Sequence, residues 1–185
     1  GVWDLLARGP RAEEQRQAVA RAIGPVWEAN HVWLIFVIVV VFTAFPPVFA
    51  ALSTALYVPF TFALLGIVFR GAAFVFRSHA RDVVWARIAW GRVFAIASAI
   101  TPVLFGMAAG AVASGKIRVE DGDVISGYWS PWLAPFPLVI GALALATCAY
   151  LAAVYLTLET AGPLQEDFRR RALGAGTVFT ALALV

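Results

Sequence analysis

The sequence predicts an all-α fold, a polytopic bundle of transmembrane helices with four complete spans and the start of a fifth. Three observations carry this. Of 185 residues, 62% are hydrophobic and 14% charged, against about 45–50% and about 25% in an ordinary soluble domain, and the mean hydropathy is +0.84. That supply of charge cannot cover a water-facing surface. The charges are also segregated, leaving windows without a single Asp, Glu, Lys or Arg whose lengths suit a bilayer. Finally, the arginines collect on one side of those windows. The net charge of +3 calls for no acidic partner, and no nucleic acid is expected.

Residues 1–24 are too polar for a secretory signal peptide. Within them, RAEEQRQAVARAI reads as a short polar helix that Gly24-Pro25 ends. Residues 29–69 then give 41 uncharged positions. One straight helix of that length would run about 60 Å, twice the roughly 30 Å hydrocarbon thickness. Two spans with a tight turn fit better. Ser53, Thr54, Tyr57 and Pro59 mark the turn, with Pro59 in the first turn of the second helix. The Phe45-Pro46-Pro47 step falls inside the first span and is expected to kink it, with neighbouring helices or Thr43 satisfying the freed carbonyls.

Residues 93–115 supply a third span of 23 uncharged residues. The next uncharged window, 124–158, opens with Pro131, Pro135 and Pro137, so the fourth span is placed from about Pro137 to Leu158. A fifth begins near Leu173. The closing run LGAGTVFTALALV is 13 residues, short of the roughly 20 a span needs. With Gly at position 1, the chain is expected to be a fragment cut at both ends. It divides into a cytoplasmic segment, 1–30, leading into the first span, and a single membrane domain, 31–185.

The loops sort by charge. Arg8, Arg11, Arg16, Arg21, Arg77, Arg81, Arg87, Arg92, Arg169, Arg170 and Arg171 fall on the side of the N-terminal segment. Only Lys116 and Arg118 fall opposite, beside Glu120, Asp121 and Asp123. This positive-inside asymmetry places the arginine-rich side in the cytoplasm and Trp129 and Trp132 at the outer interface.

Against that frame, WEANHVW at 27–33 sets a carboxylate and an imidazole at the cytoplasmic mouth of the first span. One reading is structural: Glu28 in a first helical turn is stabilised by the helix dipole, Asn30 caps the helix, and Trp27 and Trp33 anchor at the interface. The other is proton entry through Glu28, relayed through His31, since ionisable groups at membrane depth are candidates for function. Arg70 lies in or near the second span, a charge that needs a partner. It can snorkel to the cytoplasmic edge or pair with Glu28. Only His31 and His79 could ligate a haem, and their positions differ in depth, so no haem or metal is expected to be bound by this chain. The single cysteine, Cys148, rules out an internal disulfide. Gly106 and Gly110 form a GxxxG pair in the third span, and Gly141, Ala142, Ala146, Ala149 and Ala153 a small-residue series in the fourth, both read as close helix packing. The acidic residues around Gly122 read as a solvated turn rather than a calcium loop.

Three consecutive stretches carry a resemblance: AIGPVWEANHVWLI, then FTAFPPVFAALSTALYVPF, then LLGIVFRGAAFVFR, after the opening GVWDLLARG. They resemble subunit II of the cytochrome bd family of quinol oxidases, most specifically from Gly24 to Arg77 and more weakly from Gly115 onward. The resemblance implies a heterodimer with a subunit I that holds the b-type and d-type haems and the quinol site, together with the lipid bilayer and a small accessory subunit. It implies a bacterial or archaeal cytoplasmic membrane and an oxidoreductase complex reducing oxygen to water, in which this chain alone is not catalytic. Trp27, Glu28, Asn30 and Trp33 match the family's motif. Its acid is often Asp and lies on a proposed proton path, so Glu here adds one methylene. Ala29 and His31 stand where some members have Gly and Gln or Glu. Two other classes stay open: a purely structural assembly subunit, and a secondary transporter supported by the proline-broken first span and Arg70.

Overall fold

The computed structural model describes residues 1–7, 9–79 and 83–184, with the side chains of 23–31 and 77–79 outside that description. The chain is helical almost throughout: α1 (Val2–Leu5), α2 (Ala12–Ala44), α3 (Pro46–Ala55), α4 (Tyr57–His79), α5 (Val84–Ala113), α6 (Pro135–Glu159) and α7 (Pro163–Ala183), with a two-stranded hairpin, β1 (Val119–Glu120) and β2 (Asp123–Val124), between α5 and α6. Three helical segments are long and apolar enough to cross a membrane: Tyr57–Phe76, Val84–Ala113 and Pro135–Glu159. Val32–Ala44 with Pro46–Ala55 makes a fourth if taken as one broken span.

From α4 to α7, each helix packs on the next. The pairing is antiparallel, as the contacts show. Phe76 stacks on Trp90 at 4.8 Å, Phe74 meets Phe94, and Phe60 meets Phe105, so residue numbers fall on α4 as they rise on α5. At the end near the hairpin, Ala55, Leu56, Val58, Met107, Ala108, Ala111 and Trp132 form one buried cluster. At the other end, Ala18, Val19, Leu156 and Phe168 form a second, with Trp3 against it.

Between α5 and α6 the contact is made by missing side chains. A Cβ on Gly106 would lie 2.7 Å from both the Ala144 Cβ and the Ile140 carbonyl oxygen, and one on Gly110 would lie 2.7 Å from the Pro137 Cα. Gly141 closes the same seam from α6, where a Cβ would meet the Met107 Cγ at 2.7 Å. The expected GxxxG packing face is therefore the seam between these helices, with backbones close enough for dispersion to replace the hydrophobic effect that lipid does not supply. Overpacking costs about 1–3 kcal/mol. Gly106→Ala should accordingly lower the thermal-unfolding midpoint in detergent. Gly174→Ala, where nothing lies within 4 Å of the added carbon, should leave it in place.

Beside α5, which starts at Val84 rather than at residue 93, four boundaries differ from the expectation. α2 runs through Gly24-Pro25 without ending, its N-cap being Arg11. A proline removes one donor, which a helix supported on both sides survives; here Ala18 and Val19 are packed before it and the apolar run follows. Asn30 therefore does not cap the helix, and Glu28 is not in its first turn. Second, the Phe45-Pro46-Pro47 step is a break rather than a kink: α2 and α3 meet at 118°. Phe45 leaves helical geometry at φ −135°, ψ 57°, and Pro46 and Pro47 open α3. Neither proline can donate to the carbonyls of Phe42 and Thr43, so the ladder stops there. Thr43 donates its hydroxyl to the Val39 carbonyl oxygen at 2.7 Å, and Phe42 reaches across the break to Phe49, ring centroids 5.2 Å apart. Third, α6 starts at Pro135, not Pro137. Fourth, α7 starts at Pro163 rather than near Leu173. Pro163 is suited to N1, and the polar stretch PLQEDFRRRAL is helical because Phe168 and Ala172 bury one of its faces. The turn between α3 and α4 falls at Leu56, between Thr54 and Tyr57 of the expected turn residues.

The acidic loop is a tight hairpin. Val119 pairs with Val124 and Glu120 with Asp123. Asp121 (φ 50°) and Gly122 (φ 91°) both take the left-handed conformation that a two-residue hairpin turn requires. Of the two tryptophans placed at the outer interface, Trp129 is exposed, but Trp132 is buried and donates its ring N–H to the Tyr128 carbonyl oxygen at 2.7 Å.

Candidate functional site

WEANHVW lies within α2, on the stretch that joins the packed N-terminal half of that helix to its apolar half. The side chains of Trp27, Glu28, Asn30 and His31 are outside the described residues. Trp33 is described: it is 67% exposed and touches Phe36 edge-on at 6.0 Å. From Val32 to Val40 every large apolar side chain except Leu34 is exposed. This half of α2 keeps its apolar surface for lipid or another protein.

Arg70 is the fourteenth residue of α4, about 20 Å along the helix from Tyr57 and about 10 Å short of Arg77. It is half-buried, and among the described residues no carboxylate pairs with it. His79, like His31, has its side chain outside the described residues. Among the described residues, no three His, Cys, Asp or Glu side chains gather where a metal could sit.

The best-ordered polar constellation is one the sequence reading did not single out. Arg11, before α2, makes a two-pronged bond to Asp167 on α7, Nε to Oδ2 at 2.9 Å and Nη2 to Oδ1 at 2.7 Å. Gln15, buried to 3% exposure, donates to Asp167 Oδ2 at 3.1 Å and accepts from Arg171 Nη2 at 2.7 Å. The Arg171 guanidinium sits over the rings of Trp3 and Phe168, 5.5 and 5.6 Å from their centroids. Trp3 in turn donates its ring N–H to the Ala149 carbonyl oxygen on α6 at 2.9 Å. This chain of contacts fastens the N-terminal segment to α6 and α7. Its members are separated by about 150 positions, so no local pattern reveals it; the one available signal is a glutamine and an aspartate embedded among arginines.

The electrostatics follow the geometry. The Arg11 hydrogen bond holds the Asp167 carboxyl below its ordinary 3.8, against the opposing effect of burial. On the exposed face of α7, Arg169 and Arg170 hold Glu166 at about 2. A carboxyl depressed in the folded state stabilises the fold above its unfolded value and loses that contribution as pH falls through the folded one. The N-terminal segment should therefore stay docked at neutral pH and loosen only below about pH 4. Hydrogen exchange of the α2 amides Gln15 to Ala22 reads this directly: protection should drop in acid, and Asp167→Asn should weaken it already at pH 7.

Comparison with known proteins decides the family. The family model for cytochrome bd terminal oxidase subunit II matches residues 1–185, the whole chain. The chain belongs to the cytochrome bd terminal oxidase subunit II family. Among curated relatives in that family, the cytochrome bd ubiquinol oxidase subunit 2 of Bacillus subtilis is 30% identical over 171 residues, covering 92% of this chain and 50% of the relative. The cytochrome bd-I ubiquinol oxidase subunit 2 of Escherichia coli is 30% identical over 181 residues, covering 96% and 48%. A probable cytochrome oxidase subunit 2 of Haemophilus influenzae is 26% identical, covering 100% and 49%. The chain spans about half the length of the curated relatives it matches.

Proposed function

We propose that this chain forms part of subunit II of a cytochrome bd-type terminal oxidase, which supports quinol oxidation coupled to reduction of oxygen to water. The observation that carries this reading is the family match along all 185 residues. On this reading the b-type and d-type haems and the quinol site belong to subunit I, the haem partner of a heterodimer, and this chain binds none of them. The exposed apolar half of α2, Trp33 included, supports a role at the surface between subunits. The concentration of arginine on one side supports a cytoplasmic-membrane protein with those loops inside.

Within that complex, Glu28 is proposed to take up cytoplasmic protons at the mouth of a polar path shared with subunit I, with Trp27, Asn30, His31 and Trp33 framing it. A carboxylate in partly apolar surroundings can hold a pKa near operating pH, which lets it accept and release a proton in each turnover. The test of the overall reading is a reduced-minus-oxidised visible spectrum of the full-length protein, tagged in its own operon and purified in mild detergent. Haem bands of both types in a co-purifying partner are expected. A clean preparation without haem or partner would overturn the oxidase reading.

A further inference from the structure

Between the N-terminal segment and α7 lies a cleft of about 280 Å³ lined by Pro10, Arg11, Gln15, Asp167, Arg170 and Arg171. We propose that it binds a phosphate group, carried by the headgroup of an anionic phospholipid.

The charge count favours an anion. Three guanidinium groups face one carboxylate in this lining. Asp167 is already taken by the two-pronged bond from Arg11. Arg170 spends only its Nε, on Glu166 at 3.1 Å, and its side chain is 77% exposed. Its two terminal nitrogens make no hydrogen bond among the described residues. The Arg171 Nη1 is buried without a hydrogen-bond partner. A planar fork with unspent donors is the side chain best matched to phosphate oxygens.

The wall formed by Gln15 and Arg171 is fixed before any ligand arrives. Gln15 is buried, Phe168 is fully buried, and Arg171 is held over two aromatic rings. Ordering of the exposed Arg170 side chain is then the main conformational cost of binding. Depth separates a lipid from a soluble anion. Arg169 to Arg171 end where the apolar stretch of α7 begins at Ala172; with that stretch read as the start of a fifth span, this is the level of the headgroup phosphates. Basic pockets at that level between membrane helices are suited to anionic headgroups. Leu5 and Leu6, 44% and 47% exposed, lie on the adjoining segment, whose Leu6 carbonyl oxygen is 3.5 Å from Arg171 Nη2. They offer apolar surface to the acyl chains.

The experiment uses the full-length protein with whatever subunit purifies alongside it, stripped of lipid in neutral detergent. Native mass spectrometry then follows retention of added dioleoyl phosphatidylglycerol and of dioleoyl phosphatidylcholine. Phosphatidylglycerol should be retained in preference, by about fivefold for each basic residue engaged. Arg170→Gln should remove one retained phosphatidylglycerol while leaving the Arg11–Asp167 bond and the thermal midpoint unchanged, and Arg170→Lys should restore it in part. Inorganic phosphate at millimolar concentration should compete for the same site. Equal retention of the two lipids, or retention indifferent to Arg170→Gln, would overturn the proposal. Stabilisation by inorganic phosphate with no preference for phosphatidylglycerol would overturn the lipid assignment and leave a site for free phosphate.

Discussion

Glu28→Gln is expected to lower oxygen-consuming turnover of the full-length complex by on the order of 10²-fold, the lower end of what a positioned proton-transferring side chain contributes. The amide keeps the shape and the hydrogen-bonding capacity of the carboxyl but cannot be deprotonated. Haem content and complex yield should therefore stay at wild-type levels while proton uptake falls with turnover. Glu28→Asp, which shortens the side chain by the methylene that separates this chain from the commoner form of the motif, should retain most activity. Normal turnover with normal proton uptake in Glu28→Gln would remove the proton role. A fall in complex yield at unchanged specific activity would instead assign Trp27 and Glu28 to holding the interface. Because the neighbouring His31 is not matched by the motif, His31→Asn is the useful companion: unchanged turnover there confines the proton role to the carboxylate.

Phe168→Ala should be the most destabilising single substitution in the described structure. Phe168 is fully buried and joins Ala18, Val19 and Leu156 in the cluster that Trp3 covers. Emptying such a site costs about 3–5 kcal/mol. The ring is also one of the two on which the Arg171 guanidinium rests, so the substitution loosens the polar network as well as the apolar one. Thermal unfolding in detergent should show a large drop in midpoint, and proteolysis should cut within the N-terminal segment at temperatures the wild type resists. Phe168→Leu, which refills most of the volume, should recover much of the loss. If Phe168→Ala unfolds at the wild-type temperature, the N-terminal segment is not held by this cluster.

Most of the bundle was legible in the sequence because a bilayer imposes a simple rule on composition. Charge-free windows located α4, α5 and α6, and small residues at four-residue spacing located the α5–α6 seam. The boundaries that differ share a cause: polar residues and prolines signal helix ends in a sequence, and distant packing overrides them. Gly24-Pro25 did not end α2, and the charged stretch before Ala172 belongs to α7. Both continue because their own residues are buried against distant ones: Ala18 and Val19 of α2 share one cluster with Phe168 of α7. Pro46-Pro47, by contrast, broke its helix outright, since two successive residues without N–H leave two carbonyls unpaired. The candidate site was legible only as a motif. The network around Gln15 and Asp167 was not, because its partners are distant in sequence.

That separation has a consequence for how the molecule is made. Arg11 and Asp167 are 156 residues apart, and Trp3 and Ala149 are 146 apart. A ribosome adds about 5–20 residues per second, so the N-terminal segment waits on the order of ten seconds after its own synthesis before its docking partner exists. Through that interval Trp3, Ala18 and Val19 lack Leu156 and Phe168, the residues that complete their cluster. Their docking closes the longest loops in the described structure and so falls late in assembly. The segment around Trp3 and Arg11 is thus translated well before the helices that fasten it, and in an unfinished chain it lacks that fastening.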